Sequence, residues 1–119
     1  MMNDQIEKTV NAFAASGDRR DVASLETLLD PGFRIIFTRP GDERASTMTR
    51  AEYLEGLARG QLGGIERKVE VKATTVKGAI AFAEVSMLSA KMSFDSMMTF
   101  VRDRDQWRLI EDTTSVSSL

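Results

Sequence analysis

The amino-acid sequence predicts an α+β domain with its helices first and an antiparallel sheet last. Three observations carry that prediction. Up to Gly60, apolar side chains recur at helical spacing in three separate stretches; beyond Gly63-Gly64 they alternate with polar ones at strand period. The 119 residues also contain no linker, internal repeat or low-complexity tract, so residues 1–119 read as one domain with room for one site.

From Asn3 to Ser16 the stripe Ile6, Val10, Phe13 and Ala14 marks helix one, with Asp4 and Glu7 placed as a capping box and Gly17 as a stop. After a charged turn, Val22, Leu25, Leu28 and Leu29 form a second stripe that Pro31-Gly32 ends. Phe33 to Thr38 is rich in β-formers and, through the turn sequence Arg39-Pro40-Gly41-Asp42, pairs with Ala45 to Met48 in a small hairpin. Thr49-Arg50-Ala51-Glu52 is a capping box opening helix three, whose buried stripe is Tyr53, Leu54, Leu57 and Ala58 and which closes at Gly60.

Past the glycine pair, Ile65, Arg67, Val69, Val71 and Ala73 alternate with Glu66, Lys68, Glu70, Lys72 and Thr74, a strand with one wet face. The turn Lys77-Gly78 leads to a strand over 79–90, Lys91-Met92 separates it from one over 93–102, and a charged turn precedes a last strand from Trp107 to Val116. These four make an antiparallel meander.

Composition excludes several functions. Lys+Arg 16 against Asp+Glu 18 gives a net charge of -2, without the basic surface that a nucleic-acid binder needs. Cys 0 and His 0 remove thiolate nucleophiles, serine triads and the usual zinc ligands, so no metal or cofactor is expected. No apolar run approaches the roughly 20 residues of a bilayer span, and Met1-Met2-Asn3-Asp4-Gln5 lacks the features of a secretion signal. A cytoplasmic protein without membrane contact is the expectation.

On the strand over 79–90, Ile80, Phe82, Glu84, Ser86 and Leu88 share one face, and Ala81, Ala83, Val85 and Met87 the other. Both are largely apolar, and the next strand repeats the pattern. Three short helices cover one face only, so the other predicts a homodimer packed sheet against sheet. The alternative is a misread strand register.

The order of elements carries a resemblance. A helix, a short helix ending in Asp30-Pro31-Gly32-Phe33, a hairpin, the Thr49-Arg50-Ala51-Glu52-Tyr53-Leu54 helix and a meander closing in Trp107-Arg108-Leu109-Ile110 resemble the NTF2-like superfamily over nearly the whole chain. The last hairpin, Phe94-Asp95-Ser96-Met97-Met98-Thr99-Phe100 through Trp107-Arg108-Leu109, is similar to that of the bacterial groups named SnoaL-like and "putative lumazine-binding". The resemblance implies a cone: a curved sheet around the helices, a pocket at the wide end and commonly a dimer across the outer sheet face. Ketosteroid isomerases of this superfamily use a carboxylate base on the first strand and an oxyanion hole of a tyrosine and a neutral aspartate. Alignment by element order puts Phe37, Phe13 and Met97 at those positions, and none can perform that chemistry.

The same alignment turns Ile80, Phe82 and Glu84 inward, with Asp95 and Met97, and with Ile110, Asp112 and Thr114 from the last strand. Asp112, Glu84 and Asp95 are therefore the candidate catalytic carboxylates. In an apolar cavity their pKa values would rise and separate, suiting one as base and one as acid. Alternatively, Glu84 and Asp112 pair with Arg34, Arg102 or Arg108 or lie at a wet rim. Phe13, Phe37, Tyr53, Leu57, Phe82, Met97, Ile110 and Thr114 are the candidate ligand contacts. For Tyr53 the competing role is half-buried packing, and Trp107 reads as a sheet-face or dimer contact. The methionines of the two middle strands read as core or interface filling, and Arg19, Arg20 and Asp21 as a solvated loop. The favoured function is binding of a small, mostly apolar ligand. The alternatives are a metal-free acid/base enzyme of isomerase, dehydratase or epoxide hydrolase type, and a dimeric protein-interaction adaptor.

Overall fold

The computed structural model of the chain describes residues 2–119, with side chains from residue 3 onward. Helix α1 (Met2–Asp18) is followed by α2 (Val22–Leu28), β1 (Leu29–Thr38), β2 (Ser46–Thr49), α3 (Arg50–Ala58) and four strands: β3 (Lys68–Lys77), β4 (Ile80–Leu88), β5 (Met92–Asp103) and β6 (Gln106–Ser118). The expected α+β order holds, and the meander β3 to β6 is antiparallel throughout.

The helix ends show where local rules were overridden. Because α1 already begins at Met2, Asp4 lies in its first turn, not at an N-cap. At the other end the helix continues through Gly17, and the left-handed residue is Arg20 at φ 57. Asp21 N donates to Ser16 O at 2.8 Å and Arg20 N to Gly17 O at 3.1 Å, a Schellman closure with arginine where glycine is usual. What holds Arg20 there is its own side chain: Nε donates to Leu62 O at 2.8 Å and Nη2 to Gly60 O at 3.0 Å. Arg20, exposed as expected of a loop residue, is thus also a clamp on the loop after α3. In α3 the capping box forms in both directions, Glu52 N to Thr49 Oγ1 at 3.1 Å and Thr49 N to Glu52 Oε1 at 2.9 Å. Gly60, at φ 74, closes that helix as expected.

Helix α2 stops at Leu28, three residues before Pro31, because Leu29 is already extended. Pro31-Gly32 falls in an irregular stretch of β1 between the paired residues Leu29 and Arg34, where a missing N–H breaks no ladder. β1 then forms the expected hairpin with β2 and also runs parallel to β6, Ile35 opposite Asp112 and Phe37 opposite Thr114. That contact joins hairpin and meander into one six-stranded sheet, order β2-β1-β6-β5-β4-β3, which curves without closing.

The face assignment of the sheet differs from expectation. Ala81, Ala83, Val85 and Met87 of β4 and Ser96, Met98 and Phe100 of β5 face the helices and are buried. Ile80, Glu84 and Leu88 of β4 and Asp95 and Met97 of β5 are exposed on the outer face, and Phe82 is only half-buried there. On β6 a bulge resolves the conflict. Thr99 pairs with Glu111 but Phe100 with Leu109, so Ile110 is the extra residue and the alternation flips at it. Trp107 and Leu109 before the bulge and Asp112, Thr114 and Val116 after it therefore all face inward. The core beneath the helices is built from Ile6, Val10, Leu25, Leu57, Met98, Phe100 and Leu109, each at most 1% exposed. Truncating one of the larger of these would cost about 3–5 kcal/mol.

Candidate functional site

A cavity of about 380 Å³ opens between the inner sheet face and helices α1 and α3. Its position follows from the bulge at Ile110, which aims Asp112 and Thr114 under the helices where unbroken alternation would have put only one side of the strand. Asp112 is 7% exposed and lines the cavity. Its Oδ1 is buried without a hydrogen-bond partner. Desolvation pushes its carboxyl up to about 6, opposed more weakly by the Ser96 hydroxyl and the Arg67 guanidinium, both of which favour the charged form. Beside it, the Ser96 and Thr114 hydroxyls are hydrogen-bonded at 2.8 Å, so the polar floor of the cavity is a small network on β5 and β6.

Tyr53 from α3 and Phe13 from α1 line the opposite wall. With the buried Phe33 of β1 they form tilted pairs, ring centroids 5.7 to 6.1 Å apart. The Tyr53 hydroxyl lies within electrostatic reach of Arg67, Asp112 and Asp18. Burial raises its pKa, Arg67 working against that shift and Asp112 and Asp18 adding to it, so the phenol stays a neutral donor. Gly17 makes room for it: a Cβ at that position would stand 2.9 Å from the Tyr53 hydroxyl and 3.3 Å from Arg67 Nη2. Arg67 is fixed by Asp18, Nε to Oδ1 at 2.6 Å and backbone N to Oδ2 at 3.0 Å, and lies 5.1 Å from the Phe94 ring centre.

Of the candidate residues, Asp112, Thr114, Phe13, Phe37, Tyr53 and Leu57 line this cavity. Glu84, Asp95 and Met97 do not; they stand exposed on the far side of the sheet, one position out of register with the inner face. Phe82 and Ile110 are also outside, Ile110 because the bulge turns it away. The expected convergence of three carboxylates is thus reduced to one. With Met97 outside, its neighbours Ser96 and Met98 take the inward positions, and neither supplies a carboxylic acid. The arginines proposed as partners are engaged elsewhere: Arg34 with Glu111 at 2.8 Å and Arg108 with Asp103 at 3.4 Å. Arg102 lies 5.7 Å from the centre of the buried Trp107 ring, outside the cavity.

Sequence reading did not single out Arg67, Asp18, Ser96, Arg39 or Lys91, all of which line or border the site. Arg67 left a trace, as the one charged residue in the inward alternation Ile65, Arg67, Val69. Asp18 left none, since its role depends on a contact 49 residues away. Among the described residues no cluster of acidic side chains could hold a metal ion, and no helix is long and apolar enough to cross a membrane.

The architecture has known counterparts. An NTF2-like protein of Silicibacter pomeroyi superposes with a TM-score of 0.83 at 16% identity, covering 97% of this chain and 95% of that one. An NTF2-like protein of Shewanella baltica gives 0.82 at 10% identity over 97% and 93%. A ketosteroid isomerase-like protein of Erwinia carotovora gives 0.69 at 13% identity over 98% and 95%. At these identities the likeness is one of fold. No curated protein matches the sequence. Residues 2–113 match the model of the family described as "putative lumazine-binding". The chain belongs to that family and has the fold of the NTF2-like proteins.

Proposed function

We propose that the cavity binds a small, mostly apolar molecule whose principal polar contact is Asp112. One observation carries this reading: a buried carboxylate oxygen without a protein partner, in the lining of a cavity that also presents the aromatic and aliphatic side chains of Phe13, Phe37, Tyr53 and Leu57. A polar atom so placed is stabilised by a ligand group that meets it. Above its raised pKa Asp112 accepts from an N–H or O–H, and below it it also donates. A flat heterocycle of the lumazine kind fits the first mode, its ring against Phe13 and Tyr53. Titration with lumazine and a panel of small aromatic heterocycles tests this. Binding should weaken at least about tenfold in Asp112→Ala, the loss of a hydrogen bond to a charged group. Unchanged affinity in a folded variant would remove Asp112 from the site.

The carboxyl near 6 also favours a second reading, proton transfer. With Glu84 and Asp95 on the outer face, an acid–base pair of carboxylates drops out, and the chemistry narrows to a single shuttling base assisted by the Tyr53 hydroxyl, as in isomerisation. Turnover of such a substrate should rise with pH through about 6 and vanish in Asp112→Asn.

The outer face, where Ile80, Leu88 and Met97 are 46, 49 and 48% exposed, supports pairing of two copies sheet to sheet. Sedimentation of Met97→Glu against the parent protein tests it: the variant should be monomeric.

A further inference from the structure

The mouth of the cavity carries charge of the opposite sign to the chain as a whole. Arg39, just past β1, and Lys91, in the turn between β4 and β5, both line it. They belong to the same end of the sheet. Thr38 pairs with Ser115 of β6, Ser118 of β6 pairs with Met92, and Leu119 N donates to Lys91 O at 2.9 Å. Neither cation has an ion-pair partner among the described residues. The nearby Asp42 carboxylate accepts from Arg39 N at 2.8 Å, bonded to the backbone of the turn and not to the guanidinium. The Arg39 guanidinium lies 5.4 Å from the centre of the Phe37 ring, itself part of the cavity wall, so its charge is held toward the opening. Arg67, the third cation of the lining, is neutralised by Asp18. Two unpaired cations at one mouth, in a protein of net charge -2, are a local reversal of field that attracts anions and repels cations.

We propose that the ligand is an organic anion, its apolar body inside the cavity and its anionic group at the mouth between Arg39 and Lys91. The inference rests on the small-molecule reading above and narrows it to a chemical class. A carboxylate, sulfonate or phosphate at the mouth stays partly hydrated, which limits desolvation, while Phe37 beneath Arg39 continues the apolar surface inward. Each exposed contact contributes modestly, so two together give a preference of about tenfold over a neutral analogue, declining as salt is added.

The test uses 2-naphthoate and its neutral isostere 2-naphthamide, followed by methyl NMR of the methionines. Met48 and Met92 report the cavity, Met48 and Met92 being lining residues, whereas Met97 reports the outer face. The expected result is saturable shifts at Met48 and Met92 with both compounds, naphthoate binding about tenfold tighter at low ionic strength. That preference, the ratio of the two affinities in the same protein, should fall to within about twofold in the double variant Arg39→Gln/Lys91→Gln; both side chains are exposed, so the fold is retained. Shifts at Met48 and Met92 with equal affinities, or a preference that survives the double variant, would overturn the anion proposal and leave the small-molecule reading standing. Failure of both compounds to move Met48 and Met92 at millimolar concentration would overturn the two together.

Discussion

Arg67 and Asp18 hold each other through two bonds, Arg67 Nε to Oδ1 at 2.6 Å and Arg67 N to Oδ2 at 3.0 Å, while the Asp18 carbonyl accepts from Gly64 N at 2.9 Å. The last residue of α1 thereby sets both the path of the chain into β3 and the position of a guanidinium beside Tyr53 and Asp112. Both side chains are largely buried, at 16 and 9% exposed, so the pair is one whose disruption leaves a charge without compensation. Asp18→Asn keeps the shape and removes the charge. Chemical denaturation should show a loss of about 3 kcal/mol, the scale for breaking a buried pair. A loss under about 0.5 kcal/mol would mean the pair behaves as an exposed one.

Gly17 and Tyr53 should be energetically coupled. Within a helix, alanine is favoured over glycine by about 1 kcal/mol, yet a Cβ at Gly17 would meet the Tyr53 hydroxyl at 2.9 Å. Gly17→Ala should destabilise the parent protein and be at least about 1 kcal/mol less harmful in a Tyr53→Phe background, where the obstructing oxygen is gone. Additive effects in the double-mutant cycle would show that the close approach is not what excludes a side chain.

The clamp by Arg20 gives a kinetic prediction. Arg20→Asn tolerates the left-handed backbone but cannot reach Leu62 O and Gly60 O. Amide hydrogen exchange over residues 60–64 should quicken about tenfold or more, with β4 to β6 unaffected. Equal exchange in the variant and the parent would show that Gly60, Gly63 and Gly64, all at positive φ, hold the loop unaided.

These relationships mark the boundary of what the sequence makes legible. The helices, the capping box at Thr49 and the meander are written in local spacing, so Ile6, Val10, Phe13, Tyr53 and Leu57 were identifiable as inward residues. Face assignment on β4 and β5 was not, because both faces are apolar and alternation alone does not say which meets the helices; Glu84 and Asp95 were lost to that symmetry. On β6 the bulge at Ile110 flips the alternation midway, and nothing in Leu109-Ile110-Glu111-Asp112 announces it. Asp112 and Thr114 were nevertheless placed inward because they lie beyond the bulge. The alignment of element order places Ile110 inward with them, and the bulge turns that residue out. Arg67 and Asp18 meet only in three dimensions.

Asp112 makes stability depend on pH in a direction opposite to that of an ordinary paired carboxylate. Its folded pKa, about 6, lies above the reference 3.8, because burial without a partner for Oδ1 disfavours the charge. Between these values the folded state binds more protons than the unfolded one, so stability falls as pH rises. Its stabilising contribution is complete below about 3.8, declines through about 6 and is gone above that. The difference corresponds to about 3 kcal/mol at most, with one pKa unit worth 1.36 kcal/mol. Asp112→Asn carries no titrating group and should therefore match the parent protein near pH 3.5 and exceed it by about 1–3 kcal/mol at pH 8. Urea denaturation of both proteins across that range measures the gap directly. A gap that stays constant with pH would show that Asp112 titrates alike in the folded and unfolded chain, and would remove the raised carboxyl from any account of ligand binding or proton transfer in this cavity.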